Sequence, residues 1–181
     1  MIRQILVMAA LMMIAGLATA AEKVSLNTEK SKIGFVGSKS DGKHDGGFKK
    51  FTADAVVDLK EPSNGSLEIV IDTTSLWSDS DKLTNHLKNP DFFDVRKFPR
   101  ITFKATQIEH KEGAEKINIT GVLTMLGKEV PITIPVTATM TDSVITLTGD
   151  FKIDRTKWGM NYGQGKVNNE VVVKTVLVLD R

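Results

Sequence analysis

Residues 129–139 read EVPITIPVTAT, a strict alternation that puts Val130, Ile132, Ile134, Val136 and Ala138 on one face and Glu129, Pro131, Thr133, Pro135, Thr137 and Thr139 on the other. A period of two sustained this long marks a half-buried antiparallel strand, because successive side chains of a pleated strand point to opposite faces. Pro131 and Pro135 share the outer face and neither has an N–H for a ladder. The strand is therefore expected at an edge, at a bulge, or only partly paired on one side.

The same parity extends outward in both directions. Upstream it gives Ala53, Ala55, Val57 and Leu59, then Leu67, Ile69 and Ile71, then Ile101, Phe103 and Ala105, then Ile117, Ile119, Leu123 and Met125. Downstream it gives Ile145, Leu147, Phe151 and Ile153, then Val171, Val173, Leu177 and Leu179. Pro62-Ser63-Asn64-Gly65, Leu126-Gly127-Lys128, Thr141-Asp142-Ser143 and Asn168-Asn169 supply turn chemistry between the runs. With an opening strand at 33–37, the pattern predicts an all-β chain of about eight antiparallel strands, and sequential strands without long helices favour a closed up-and-down barrel. A two-sheet immunoglobulin-like sandwich is the alternative architecture.

One stretch breaks the pattern: residues 78–103, SDSDKLTNHLKNPDFFDVRKFPRITF. Ser78 or Asp79 can cap a short helix, Leu83 and Leu87 fall one turn apart on one face, and Asn89-Pro90 ends it. Phe98-Pro99 then forces extended backbone before the strand at Ile101. The expectation is one short helical insertion between strands 3 and 4. Trp77, Leu83, Leu87, Phe92, Phe93 and Phe98 gather in this connection, more apolar surface than a helix laid on a barrel needs. A lid over a ligand and a packed seal of the barrel end use the same chemistry, and both stay open on these residues.

Composition bounds the partners. The 181 residues carry 24 Lys and Arg against 22 Asp and Glu, so no basic excess points to nucleic acid. There is no cysteine, hence no disulfide, thiolate nucleophile or Cys-based zinc site. Residues 1–4 carry Arg3, residues 5–17 are apolar and uncharged, and Ala18-Thr19-Ala20 has the small-x-small form that signal peptidase reads. We therefore expect a cleaved signal peptide at 1–20, a single domain over 21–181, and a soluble periplasmic location.

No catalytic constellation emerges. His44, His86 and His110 lie in a Gly-rich loop, the helix and a strand end, without metal-ligand spacing, and no nucleophile elbow supports a Ser-His-Asp triad. No metal and no catalytic residue are expected. His86, beside Asn85, either presents polar atoms at a pocket mouth or fixes local backbone. Trp158 and Tyr162, interleaved with Gly159, Gly163 and Gly165, form either a gate or a plain surface loop. Asp154-Arg155 is expected to fix a strand end. Small inner-face residues, Ala53, Ala55, Ala105, Gly121, Ala138 and Gly149, either leave room for a ligand or pack against large neighbours. Val172, Val176 and Val178 on the outer face of the last strand raise a homodimer as a candidate assembly.

Several motifs together resemble the YceI-like family. His86-Leu87, Asn89-Pro90-Asp91-Phe92-Phe93-Asp94-Val95 and Phe98-Pro99-Arg100-Ile101-Thr102-Phe103 resemble its central signature. The segment 31–35, Gly47-Phe48 with Phe51, Gly121-Val122-Leu123-Thr124 with Gly127, and Ile153-Asp154-Arg155 with Trp158-Gly159-Met160 resemble further family segments. Lys30-Ser31 and Leu83-Thr84 depart from it, where His-Ser and Arg-Asp are usual. The resemblance implies an eight-stranded lipocalin-like barrel in the periplasm that holds a polyisoprenoid, isoprenoid quinone or fatty-chain lipid, with no other cofactor.

The expected ligand contacts are Phe35, Phe51, Val57, Ile69, Ile71, Ile101, Phe103, Leu123 and Phe151 from the strands. Trp77, Leu83, His86, Leu87, Phe92, Phe93 and Phe98 join them from the insertion, and Trp158 and Tyr162 from the late loop. The expected function is a non-enzymatic carrier of a long-chain amphiphile. The alternative is a stress or redox accessory acting through a partner, with a membrane cytochrome as a candidate.

Overall fold

A computed structural model describes residues 21–110 and 116–181; the expected signal peptide lies outside the described residues. The strands are β1 (Glu22–Leu26), β2 (Lys32–Lys39), β3 (Gly42–Phe48), β4 (Phe51–Val57), β5 (Ser66–Asp72) and β6 (Leu76–Ser78), then β7 (Arg100–His110), β8 (Lys116–Met125), β9 (Lys128–Met140), β10 (Val144–Asp154) and β11 (Glu170–Asp180). Helix α1 (Asp81–Leu87) stands between β6 and β7.

All neighbours are antiparallel. β1, β4, β5, β7, β8, β9, β10 and β11 follow one another around a ring that closes through the β1–β11 pair, a closed eight-stranded barrel. The sheet also continues from β11 through β2 and β3 to β6. β11 pairs with β1 at one end and β2 at the other, so the first stave of the barrel is one strand interrupted by a turn. β3 and β4, then β5 and β6, are likewise broken staves, which is why eleven segments stand where about eight were expected and why α1 follows β6.

The interruptions have local causes. The turn after β1 folds back on β11: Asn27 N–H donates to the Val178 carbonyl at 2.8 Å, and Val178 N–H donates to Ser31 Oγ at 2.9 Å. Val178, expected on an exposed outer face, is consequently 8% exposed, and Val172 and Val176 are half-buried. Between β3 and β4, Lys49 and Lys50 N–H both donate to Ser75 Oγ at 3.1 and 3.0 Å.

The prolines of β9 fall where a partner is missing. Pro131 and Pro135 pair with Val122 and Asn118 of β8, whereas β10 joins β9 only from Val136 to Met140. β9 is thus partly paired on one side, and the sheet splays between β9 and the far half of β10. Two other readings change. Gly42–Phe48, taken from its glycines as a loop carrying His44, is strand β3; a Cβ on Gly46 would meet the Phe35 ring at 2.5 Å, so glycine there admits an aromatic ring against the backbone. Leu59, expected inside, lies beyond β4 and is 41% exposed.

Two apolar clusters fill the barrel. One end is packed solid by Val24, Leu67, Phe103, Ile119, Ile145 and Leu179 among others. Gly121 belongs to this end: a Cβ would sit 2.5 Å from the Lys104 carbonyl and 2.6 Å from the Phe103 ring. Gly121→Ala is expected to destabilise the fold by about 1–3 kcal/mol through overpacking, read as a lower urea midpoint at unchanged slope. The other end is closed by the insertion, with Leu87, Phe92 and Phe93 packed on Phe48, Ile71 and Ile101.

Candidate functional site

The helix is short and firmly seated. Ser80, rather than Ser78 or Asp79, is its N-cap, accepting from Leu83 N–H, while Thr84 Oγ1 accepts from Ser78 N–H at 2.8 Å. Beyond it the chain turns on Asp94, whose carbonyl accepts from Lys97 and Phe98 N–H. Thr73, 1% exposed, rivets this corner to the barrel: its N–H donates to the Pro99 carbonyl at 3.0 Å and its hydroxyl to the Phe98 carbonyl at 2.8 Å. The corner drives Phe93 inward between Phe35 and Phe48, with ring centroids 6.0 and 5.6 Å away.

Beneath this cap lies a cavity of about 840 Å³. Its walls are Ile33 and Phe35 of β2, Ile69 and Ile71 of β5, Ile101 and Phe103 of β7, and Leu123 and Met125 of β8. Ile132 and Ile134 of β9, Phe151 and Ile153 of β10, and Val171 and Val173 of β11 continue the apolar surface across the splay. Thr175 of β11 and Arg155, just after β10, are polar residues that interrupt it on that side, and Ser38, His44, Asp45, Gln164, Lys166 and Asn168 form a polar rim. Among the described residues no group of three His, Asp or Glu side chains converges as a metal site.

A loop spans the mouth. At its start Asp154 caps a 3-10 turn, Arg155–Trp158, accepting on Oδ1 from Thr156 N–H at 2.9 Å and from the Thr156 hydroxyl at 2.6 Å. Arg155, 3% exposed, donates from Nε to the Asn168 carbonyl at 3.0 Å, from Nη1 to that of Met160 and from Nη2 to that of Val167 at 3.1 Å. One guanidinium thus ties both ends of the 160–168 loop. Burial pushes it below its ordinary value while the Asp154 carboxylate acts the other way; an arginine stays charged regardless. Asn168 Nδ2 donates to Ser38 Oγ at 2.9 Å, holding the loop on β2. At its tip Tyr162 packs edge-on against His86 at 4.8 Å and on Phe92 at 5.1 Å, bridging the loop to α1.

The Asp154 carboxyl is held below the ordinary 3.8 by the Thr156 hydroxyl first and the Thr156 N–H second. A depressed carboxylate contributes stability that is complete above its unfolded value and lost as pH falls through the folded one. Asp72, held down in the same way by Thr74, titrates alongside it. Asp154→Asn is therefore expected to remove part of the acid dependence below about pH 4 and leave the remainder to other carboxylates, as read from urea midpoints across that range.

Of the expected contacts, Phe35, Ile69, Ile71, Ile101, Phe103, Leu123 and Phe151 line the cavity from the strands. Leu83, His86, Leu87, Phe92 and Phe93 line it from the insertion, and Tyr162 from the loop. Phe51, Val57, Trp77, Phe98 and Trp158 lie outside that lining. Phe51 is buried core, Val57 is packed against the solid end, Trp77 is 37% exposed, and Phe98 lies on an outer groove beside Gly127. Trp158, read as part of either a gate or a plain surface loop, is 1% exposed in the 3-10 turn and donates from Nε1 to the Leu123 carbonyl at 2.9 Å. His86 Nε2 lies 3.1 Å from an Asp91 carboxylate oxygen, at the mouth. None of the six small residues, open in the sequence between leaving room and packing, lines the cavity; Ile132, Ile134, Phe151 and Ile153, where β9 and β10 do not pair, do. Phe48 and Met160, which the sequence did not nominate, do line it, and Phe48 was reachable from the inward parity once β3 is recognised as a strand.

The model of the YceI-like domain matches residues 25–179. A UPF0312 protein of Vibrio parahaemolyticus is 34% identical over 116 residues, 64% of this chain and 58% of that protein, so the match spans less than two thirds of the relative's length. The crystal structure of Burkholderia cenocepacia BcnA superposes with a TM-score of 0.79 at 30% identity, covering 84% of this chain and 98% of that one. A polyisoprenoid binding domain from Saccharophagus degradans, implicated in plant cell wall breakdown, superposes with a TM-score of 0.64 over 87% of this chain and 97% of that one; at 14% identity the likeness is one of fold.

Proposed function

The chain belongs to the YceI-like family, and from that premise and the shape of its cavity we propose that it binds a long-chain amphiphile, an isoprenoid or fatty-chain lipid, as a carrier rather than an enzyme. The observation that carries this reading is the apolar cavity of about 840 Å³ with a polar rim. Its volume lies in the range of small-molecule sites, and its walls suit a hydrocarbon tail. Each methylene moved from water into such walls contributes about 0.8 kcal/mol, so ten would contribute about 8 before the cost of ordering the chain. Affinity then depends mainly on tail length, with the rim meeting the head group. The binding of the Saccharophagus domain's ligand class by a barrel of the same fold supports the choice of an isoprenoid.

Titration of the purified chain with fluorescent fatty-acid and quinone analogues of increasing tail length tests the proposal. Affinity should rise with each pair of methylenes; affinity independent of tail length would defeat it. We further propose export to the periplasm through residues 1–20, whose charged start, apolar run and Ala18-Thr19-Ala20 carry the signal. N-terminal sequencing of the exported protein should begin at Ala21.

A further inference from the structure

The walls of the cavity have a second face. On β5, β7 and β8, Ile69, Ile71, Ile101, Phe103, Leu123 and Met125 face inward, and the intervening Val70, Asp72, Arg100, Thr102 and Thr124 line an open groove of about 1000 Å³ on the outside. The alternation of a β-strand makes the groove the outer surface of the cavity wall itself. Lys49, Lys50 and Lys97 complete its margin.

The groove concentrates charge. Lys49, Lys50, Lys97 and Arg100 against the single carboxylate of Asp72 give it a net +3, more than the formal +2 of the whole chain. Among the described residues, no ion pair within 4.0 Å engages any of the four cations. Asp72 is occupied by Thr74, whose N–H and hydroxyl it accepts at 2.9 and 2.6 Å.

The fold sets these cations in place. Successive residues of a regular strand point to opposite faces, yet Lys49 and Lys50 are both exposed, because the break between β3 and β4 takes their N–H groups to Ser75 Oγ. Lys97 Nζ lies over the Phe98 ring, 5.2 Å from its centroid, and the Thr73 bonds to Phe98 and Pro99 hold that corner, and Arg100 after it, beside the two lysines.

We propose that this groove docks the protein on an anionic lipid bilayer, bringing the wall of the cavity against the surface from which a water-insoluble ligand is exchanged. The inference rests on the proposed lipid-binding function. A basic side chain close to an anionic bilayer strengthens binding by about fivefold, and the attraction is screened within a Debye length. Hydroxyls of Thr28, Thr52, Thr102 and Thr124 along the groove add donors for phosphate oxygens.

The test is co-sedimentation of the chain from Ala21 onward, which holds every strand of the barrel, with vesicles of phosphatidylcholine alone or with about one third phosphatidylglycerol. Binding is expected only to the anionic vesicles and should fall steeply between roughly 0.1 and 1 M salt. Lys49→Gln/Lys50→Gln/Lys97→Gln should weaken it about a hundredfold. Lys116→Gln/Lys152→Gln/Lys174→Gln, with the same change in net charge away from the groove, should change it only severalfold. Equal losses in the two triples, no binding by the wild type, or retention on a heparin column without vesicle binding would each overturn the proposal, the last in favour of a soluble polyanion. Binding of a fluorescent fatty acid in vesicle-free solution separates the two claims: its failure beside intact vesicle binding removes the cavity reading alone, and its persistence without vesicle binding removes docking alone.

Discussion

Trp158→Ala is expected to lower the unfolding free energy by about 3–5 kcal/mol, the range for deleting a large buried aromatic side chain. The indole is 1% exposed and sits where the β9–β10 ladder has ended, so the surrounding walls have no neighbouring strand to collapse inward. Its Nε1–H bond to the Leu123 carbonyl adds a polar contact that alanine leaves unmade. For a domain of this size such a loss corresponds to a fall in Tm of roughly 6–20 °C. Trp158→Phe, which keeps a ring and loses the N–H, is expected to cost about 1–2 kcal/mol. A change below about 1 kcal/mol for the alanine variant would show that the turn does not anchor the splay.

Ile132→Trp is expected to weaken binding of a long-chain probe about a hundredfold. Ile132 faces the cavity from the part of β9 that lacks a β10 partner. An indole there takes the space of three or four methylenes, each contributing about 0.8 kcal/mol, which sums to about 3 kcal/mol of lost binding. Thr133→Trp supplies the comparison, since the next residue carries the same side chain to the exposed outer face. It should leave binding within about twofold. A Tm for each variant separates lost ligand space from overpacking of the fold. Equal effects of the two substitutions would contradict the placement of the ligand inside the barrel.

Much of the barrel was legible in sequence because period two is a direct image of the pleat. One-sided pairing of β9 is one of the three placements that its two prolines allowed, since each lacks an N–H for a ladder. The broken staves were harder. β1 is short, and β3 is disguised by Gly42, Gly46 and Gly47; Gly46 admits the Phe35 ring and Gly47 lets the Ile33 carbonyl approach, and no local propensity records such tertiary contacts.

The candidate site divides the same way. Wall residues such as Ile69, Ile71 and Phe103 follow from parity alone. Which inward residues meet space and which meet one another does not, because that depends on where neighbouring staves diverge. Ala55 and Gly121, which the sequence leaves open between room and packing, therefore turn out to be packing, while Ile132 and Ile134, large residues, border the cavity. Trp158 and Tyr162 read as one aromatic loop, yet one is an anchor inside the fold and the other lies against His86 at the mouth, a difference set by the Arg155 bonds that fold the loop over.

Organic extraction of the purified protein followed by mass spectrometry tests the proposed function most directly. The account predicts one class of long-chain lipid, isoprenoid or fatty, recovered from the wild type and depleted in Ile132→Trp. A folded wild-type protein that yields no lipid and binds no fluorescent quinone or fatty-acid analogue would contradict it.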